Sequence, residues 1–375
     1  MNILFALDKY SFKMGGASLS ARTVAQYLSQ KGYNVTILET ANGMDSIENG
    51  IKILRRTLPH RGHDNTLKTI QHNQDWQRLL EREIPHIKPD YVLTQGYLKI
   101  GTVQFCKKHH IPVMTFMTGL EEFHPEFFFK KDPDTHQFNF WNAKLSHKLK
   151  YHWMTKVLHL YQQSLKDSTV VIANSHFIKN MCKKNADIHA DVLYPPINFN
   201  INLNQKKKTL NTGPVVFVKP QKIKGVEKFY QIAKFNQDIE FLVVGKARSR
   251  HKKMMKSLSN VTLHPETEDM VSIYSRCSAI IGPALIPEPF GRVFVEAGMF
   301  GLPAIAHKTG GIIESVGQGG ELLPIGSSPQ LWGERIRKVL SDKSYDHYHQ
   351  AAHHNAQHIL RQCENSFDKL LEHLN

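Results

Sequence analysis

Apolar residues fall along this chain in two patterns that alternate. A solid run at 3–7 and the stretch Val35-Thr36-Ile37-Leu38 are separated by Ala21, Val24, Ala25 and Leu28, which recur at helical spacing until Gly32 ends the pattern. Runs of four or five apolar residues bounded by polar loops predict strands buried on both faces, and the 3.6-residue spacing predicts a helix between them. The loop after the first run holds Gly15-Gly16. Parallel strands need a helical crossover of this kind, so the opening already implies an α/β fold.

Further strands are predicted at 91–94, 113–116 and 169–173. Residues 60–85 are polar with a helical pattern. Residues 121–140, aromatic and proline-containing, read as an ordered surface loop, and 141–166 as a long basic amphipathic helix. Composition then breaks at 195–214, where Pro195-Pro196, an Asn-rich segment, Lys206-Lys207-Lys208 and Gly213-Pro214 follow one another as in a linker. After it the strand–helix alternation restarts, with strands expected at 215–218, 241–244, 261–264, 279–281, 304–306 and 321–323. Two such units predict a pair of Rossmann-like domains with a cleft between them. The expected division is 1–200 and 201–350, with a C-terminal helix over 351–375 packing back toward the first domain.

A length of 375 residues suits two domains, and fractions of 41% hydrophobic and 22% charged residues belong to a globular chain. No apolar run approaches the ~20 residues that cross a bilayer, and the start reads as a strand instead of a secretory leader. Cys106, Cys182, Cys277 and Cys363 form no C-x-x-C pair, which points to a reducing cytoplasm. The net charge of +15 is shared: residues 1–200 hold 25 Lys and Arg against 17 Asp and Glu, and residues 201–375 hold 23 against 16. An excess spread this way is no basic tail; it fits nucleic acid, an anionic membrane face or a phosphorylated substrate equally well.

Chemistry concentrates at Pro287-Glu288-Pro289-Phe290-Gly291-Arg292-Val293-Phe294-Val295-Glu296-Ala297. Glu288 is expected in the loop and Glu296 about two turns into the following helix, at different depths along one face and so able to hold different parts of an elongated ligand. The helix start offers free N–H groups and a positive dipole end, which favour phosphate.

This stretch resembles the E-x7-E motif of the retaining glycosyltransferases of family 4. These have the GT-B fold, two Rossmann-like α/β domains facing across a cleft. The continuation through Gly301-Leu302-Pro303 to Gly310-Gly311 resembles that family's next strand and glycine loop. Lys219 and Lys224-Gly225 match its pattern of two basic residues gripping the donor diphosphate; the family usually has Arg at the first, and Lys219 keeps the charge but not the fork. Gly15-Gly16 corresponds to the first-domain glycine loop, so Gly16 is expected where backbone approaches phosphate or acceptor. Tyr194-Pro195-Pro196-Ile197-Asn198 resembles the segment entering the hinge.

One departure concerns the acceptor side. Thr118 stands where the family commonly carries a His, and a Thr cannot titrate near neutrality; His124 is the nearest substitute. Asp132-Pro133-Asp134 spells a D-x-D, but in a polar loop and not after a strand, so it reads as incidental, and neither metal nor cofactor is expected.

The resemblance implies a retaining hexosyltransferase taking a UDP- or GDP-linked sugar to a glycan, lipid-linked or polymer acceptor. Glu296 would accept from ribose hydroxyls. Glu288, with the backbone of Pro289, Phe290 and Gly291, would orient the sugar. Lys219 and Lys224 would oppose charge on the leaving diphosphate. The basic helix, with Lys144, Lys148, Lys150 and Lys156 beside Trp141, Leu149, Trp153 and Leu160, offers a peripheral contact to an anionic inner-membrane face or is simply solvated. The alternatives are a GT-B nucleotide-sugar epimerase and a non-catalytic glycan or nucleotide binder. Nucleic acid is not an expected partner, since no recognition motif is present.

Overall fold

The computed structural model describes residues 1–8, 10, 16–59, 66–120, 123, 145–197 and 211–374. Two compact units divide the chain, one of Met1–Pro196 with Cys363–Asn375, the other of Ile197–Gln362. The expected 200/201 boundary, His124, Asp132, Asp134 and Trp141 all lie outside the described residues.

The first unit is built from β1 (Asn2–Leu7), α1 (Gly16–Gln30), β2 (Asn34–Glu39), β3 (Ser46–Glu48), β4 (Ile51–Arg55), α2 (Thr66–Ile87), β5 (Tyr91–Gln95), α3 (Lys99–Lys108), β6 (Val113–Met117), α4 (Leu145–Asp167), β7 (Val170–Ala173), α5 (His176–Ala186) and β8 (Asp191–Val192). Its sheet runs β3-β4-β2-β1-β5-β6-β7-β8. Every pairing is parallel except β3 with β4. Leu4, Ala6, Leu38, Trp76, Leu80 and Val92 share one core on this sheet.

The β3–β4 hairpin is absent from the sequence expectations, although its signal is present. Asn49 and Gly50 are its two loop residues, both at positive φ (52° and 79°), between paired Glu48 and Ile51. Asn-Gly is a strong marker for such a turn, because both central residues need the left-handed region.

The second unit comprises β9 (Val215–Val218), α6 (Val226–Phe235), β10 (Phe241–Val244), α7 (Ser249–Lys256), β11 (Val261–His264), α8 (Met270–Tyr274), β12 (Ala279–Gly282), α9 (Arg292–Met299), β13 (Ala304–His307), α10 (Ile312–Val316), β14 (Gly320–Leu323) and α11 (Pro329–Leu340), followed by α12 (Tyr345–Leu374). Its sheet is parallel in the order β11-β10-β9-β12-β13-β14. Alternate residues of one strand serve opposite faces. Val215 and Phe217 join Phe229, Phe241, Trp332 and Ile336 on one side, while Val216 joins Leu242, Ile280, Phe294 and Ile312 on the other. Burial on both faces explains why the inner strands β9, β10, β12 and β13 read as largely apolar runs, while the edge strands β11 and β14 carry polar residues.

The end of α12, from Cys363 onward, is counted with the first unit. There Cys363 Sγ donates to the Tyr194 carbonyl at 3.2 Å, Phe367 lies 4.3 Å from Tyr27 between ring centroids, and His373 Nε2 stands 3.0 Å from Asp191. All four cysteines are buried and unbridged. Among the described residues no helix is long and apolar enough to cross a membrane.

Candidate active site

In open parallel sheets ligands bind outside the carboxyl ends of the strands, where the strand order reverses. In the second unit that point lies between β9 and β12: the chain moves outward one way through β10 and β11, then returns to build β12, β13 and β14 on the other side. The loops after β9 and after β12 hold the residues singled out above.

The loop after β9 begins with a strained residue. Lys219 has φ 57°, an uncommon value for a residue with a side chain. Its amide donates to the Val244 carbonyl at 2.8 Å, and its carbonyl accepts from Gln221 N–H at 2.7 Å. A short 3-10 turn, Lys222–Lys224, follows and ends at Gly225, φ 79°, the N-cap of α6. A Cβ at Gly225 would overlap the Pro283 carbonyl oxygen, so only glycine lets this turn press against the loop after β12. That approach carries Lys224 to Glu288, with Nζ 2.7 Å from Oε2 and the side chains 30% and 12% exposed.

Glu288 is fixed by its backbone as well. It forms a parallel bridge with Gly310, and Gly311 N–H donates to its carbonyl at 2.7 Å. Gly310 is left-handed at φ 57°, and a Cβ there would overlap the Glu288 carbonyl. What the structure shows for Gly310 and Gly311 is thus a packing reason for glycine, the close passage of one loop along another. Pro289 is half-buried, and the Phe290 side chain is buried in the core, which leaves Phe290 only its backbone to offer a ligand. Gly291, φ 95°, is the N-cap of α9, and no side chain caps this helix start.

The expectation for Glu296 needs correction. Because α9 starts only at Arg292, Glu296 lies little more than one turn in, and Glu288 sits in an extended bridge instead of sharing a helix face with it. Its carboxylate is held from two sides. Arg292 Nε donates to Oε1 at 2.7 Å, and the Tyr274 hydroxyl donates to Oε2 at 3.2 Å. Tyr274 is fully buried; burial, reinforced by the Glu296 charge, pushes its hydroxyl well above the usual phenol range, so it remains a donor. Arg292 and Tyr274 are absent from the sequence expectations. The i,i+4 spacing of Arg292 and Glu296 was available there, whereas Tyr274 arrives from another helix and left no local signal.

Cations surround these loops. Lys219 and Lys222 are exposed in the loop after β9, and Lys246 and Arg248 in the connection after β10. The two loops touch, since a Cβ at Gly245 would stand 3.4 Å from the Lys219 Cα. Such a grouping raises the local potential toward a polyanion. Gly16, the first residue of α1, and Thr118, half-buried just past β6, belong to the first unit. Among the described residues no group of three or more His, Cys, Asp or Glu could hold a metal ion.

Comparison with known proteins adds family and fold. The family model described as Glycosyltransferase Family 4 matches residues 14–200, and that described as Glycosyl transferases group 1 matches residues 201–358. An uncharacterized 42.6 kDa protein in the cps region of Klebsiella pneumoniae is 25% identical over 351 residues, 84% of this chain and 87% of that one. Among solved structures, sucrose-phosphate synthase from Thermosynechococcus elongatus superposes with a TM-score of 0.73 at 14% identity, covering 99% of this chain and 100% of that one. The Anabaena protein HepE in complex with UDP-glucose gives 0.67 at 17% identity, covering 98% and 100%. At such identities the superpositions speak for the fold alone, two Rossmann-like α/β domains of the GT-B type.

Proposed function

We propose, from the premise that this chain belongs to the family 4 and group 1 glycosyltransferases, that it transfers a hexose-type sugar with retention from a nucleoside diphosphate donor seated at the strand ends of the second unit. The observation that carries this reading is the Lys224–Glu288 pair at the point where the strand order reverses. A diphosphate entering the loop after β9 would take over Lys224, with Lys219 beside it, and free the Glu288 carboxylate to accept from a sugar hydroxyl.

In the reaction the bond from the sugar's anomeric carbon to the diphosphate oxygen breaks, and a bond to the acceptor's hydroxyl oxygen forms on the same face. The acceptor proton passes to the departing phosphate. Negative charge grows on the diphosphate as this happens. The two lysines and the uncapped start of α9 oppose it with positive charge already in place, which requires no bound metal. Glu296 would accept from the ribose hydroxyls, and the Phe290 and Gly291 N–H groups would orient the sugar.

The nucleotide is read as UDP or GDP, in keeping with the UDP-glucose carried by a structural neighbour. The acceptor is read as a glycan, a lipid-linked saccharide or a polymer. Thr118, where the family commonly has His, favours one second reading, a binding protein that kept the fold without turnover.

The test is a thermal-shift panel of nucleoside diphosphates and their sugars with EDTA present, followed by release of the diphosphate from whichever donor binds. A shift of several degrees with one diphosphate supports the donor site. No shift with any rejects it, and binding without turnover across an acceptor panel selects the second reading.

A further inference from the structure

We infer that Arg292 and Tyr274 are positioning residues that hold Glu296 for the vicinal hydroxyls of a ribose, and so set discrimination between ribonucleotide and deoxyribonucleotide donors. The inference rests on the donor site proposed above and assigns two residues it did not include.

A carboxylate accepts along about four lone-pair directions, two on each oxygen. Arg292 uses one on Oε1 and Tyr274 one on Oε2. Rotation of the carboxylate would break both bonds, so its plane is fixed. Each oxygen keeps one direction open, which suits two hydroxyls on neighbouring carbons. Tyr274 sits fully buried in the apolar cluster of Leu242, Ile273 and Phe294, with its hydroxyl aimed at this one carboxylate.

Helix stability does not account for Arg292. It is the first residue of α9, where the helix dipole disfavours a cation. A basic residue placed before its acidic partner at i,i+4 is also the weaker order. Its side chain is only 14% exposed, and Nη1 is buried without a hydrogen-bond partner among the described residues. A buried donor left without an acceptor is costly. The closed-off Nη1 is beyond a ligand's reach, so Arg292 acts only through the carboxylate that its Nε holds, which makes it a positioning residue for Glu296.

The experiment is calorimetric titration of the full chain with UDP, GDP and ADP and with their 2′-deoxy counterparts. It compares wild type with Tyr274→Phe, Arg292→Leu, Arg292→Lys and Glu296→Gln. Wild type is expected to prefer the ribonucleotide by about 10- to 100-fold, the range for hydrogen bonds to a charged acceptor. Glu296→Gln should reduce that preference. Tyr274→Phe and Arg292→Leu should each cut it by at least about threefold while changing the affinity for the deoxy form less than about twofold, and Arg292→Lys should recover part of it. Tyr274→Phe keeps the buried ring, so a folding failure would not mask the result.

Equal weakening of both nucleotide forms, or an unchanged ratio in Tyr274→Phe and Arg292→Leu, overturns the inference and leaves the donor site standing. A wild type that binds without discriminating overturns it too. A wild type that binds none of the diphosphates removes the donor site itself, and this inference with it.

Discussion

Lys224 and Glu288 lie sixty-four positions apart in the chain, yet their charged atoms stand 2.7 Å from each other across the point where the second sheet reverses its strand order. The pair is partly exposed, so its own contribution to stability is small, about 1 kcal/mol or less. Its value to a transferase would lie in exchange, with the carboxylate giving way to a diphosphate.

Lys224→Ala and Glu288→Ala should therefore separate function from stability. Each is expected to lower kcat for sugar transfer by about 100- to 1000-fold, the usual loss for one preorganised charge-stabilising group. Unfolding in urea should shift by no more than about 1 kcal/mol. Wild-type turnover in either variant would remove these residues from the site.

Gly225 is the position where backbone packing builds the site. Gly225→Ala should destabilise the second unit by about 2–4 kcal/mol, since overpacking against Pro283 adds to left-handed strain. Gly326→Ala is the control: φ is also positive there, at 95°, but a Cβ meets nothing within 4 Å. It should cost only the conformational term, about 1–2 kcal/mol. Equal losses in the two variants, measured by urea unfolding, would show that contact with Pro283 does not matter.

Acid should weaken the second unit through Glu321. Burial pushes this carboxyl up, but hydrogen bonds from Lys338 and Tyr348, with the charge of Arg335, outweigh it and hold it below its ordinary value of 4.5. A depressed carboxyl contributes stability that is present above the unfolded value and lost as pH falls through the folded one. Glu321→Gln should thus be less stable than wild type at pH 7, with the gap closing at pH below 4.5. Urea unfolding of both proteins at pH 7 and near pH 3 checks this, and a gap that stays constant would contradict it.

The exposed cations Lys246 and Arg248 should act at a distance on an anionic donor. Reversing both to Glu is expected to raise KM for the nucleotide sugar several-fold at low salt with little change in kcat. The difference should fade as salt rises, because the screening length shrinks from about 10 Å at 0.1 M to about 3 Å at 1 M. A KM ratio between variant and wild type that is the same at both salt concentrations would mean contact and not long-range attraction.

The inner strands of the second unit are legible in the sequence, since burial on both faces makes β9, β10, β12 and β13 short, largely apolar runs. The loop carrying Glu288 is legible there too, whereas the left-handed φ of Gly225 and Gly310 comes only with the fold. The β3–β4 hairpin is also local, marked by Asn49-Gly50. Which charges meet is a property of the folded chain. Lys224 reaches Glu288 because two non-consecutive strands lie side by side, and Tyr274 reaches Glu296 across the apolar cluster that α8 and α9 share. Pairings of that kind depend on strand order and helix packing, which no spacing along the chain encodes.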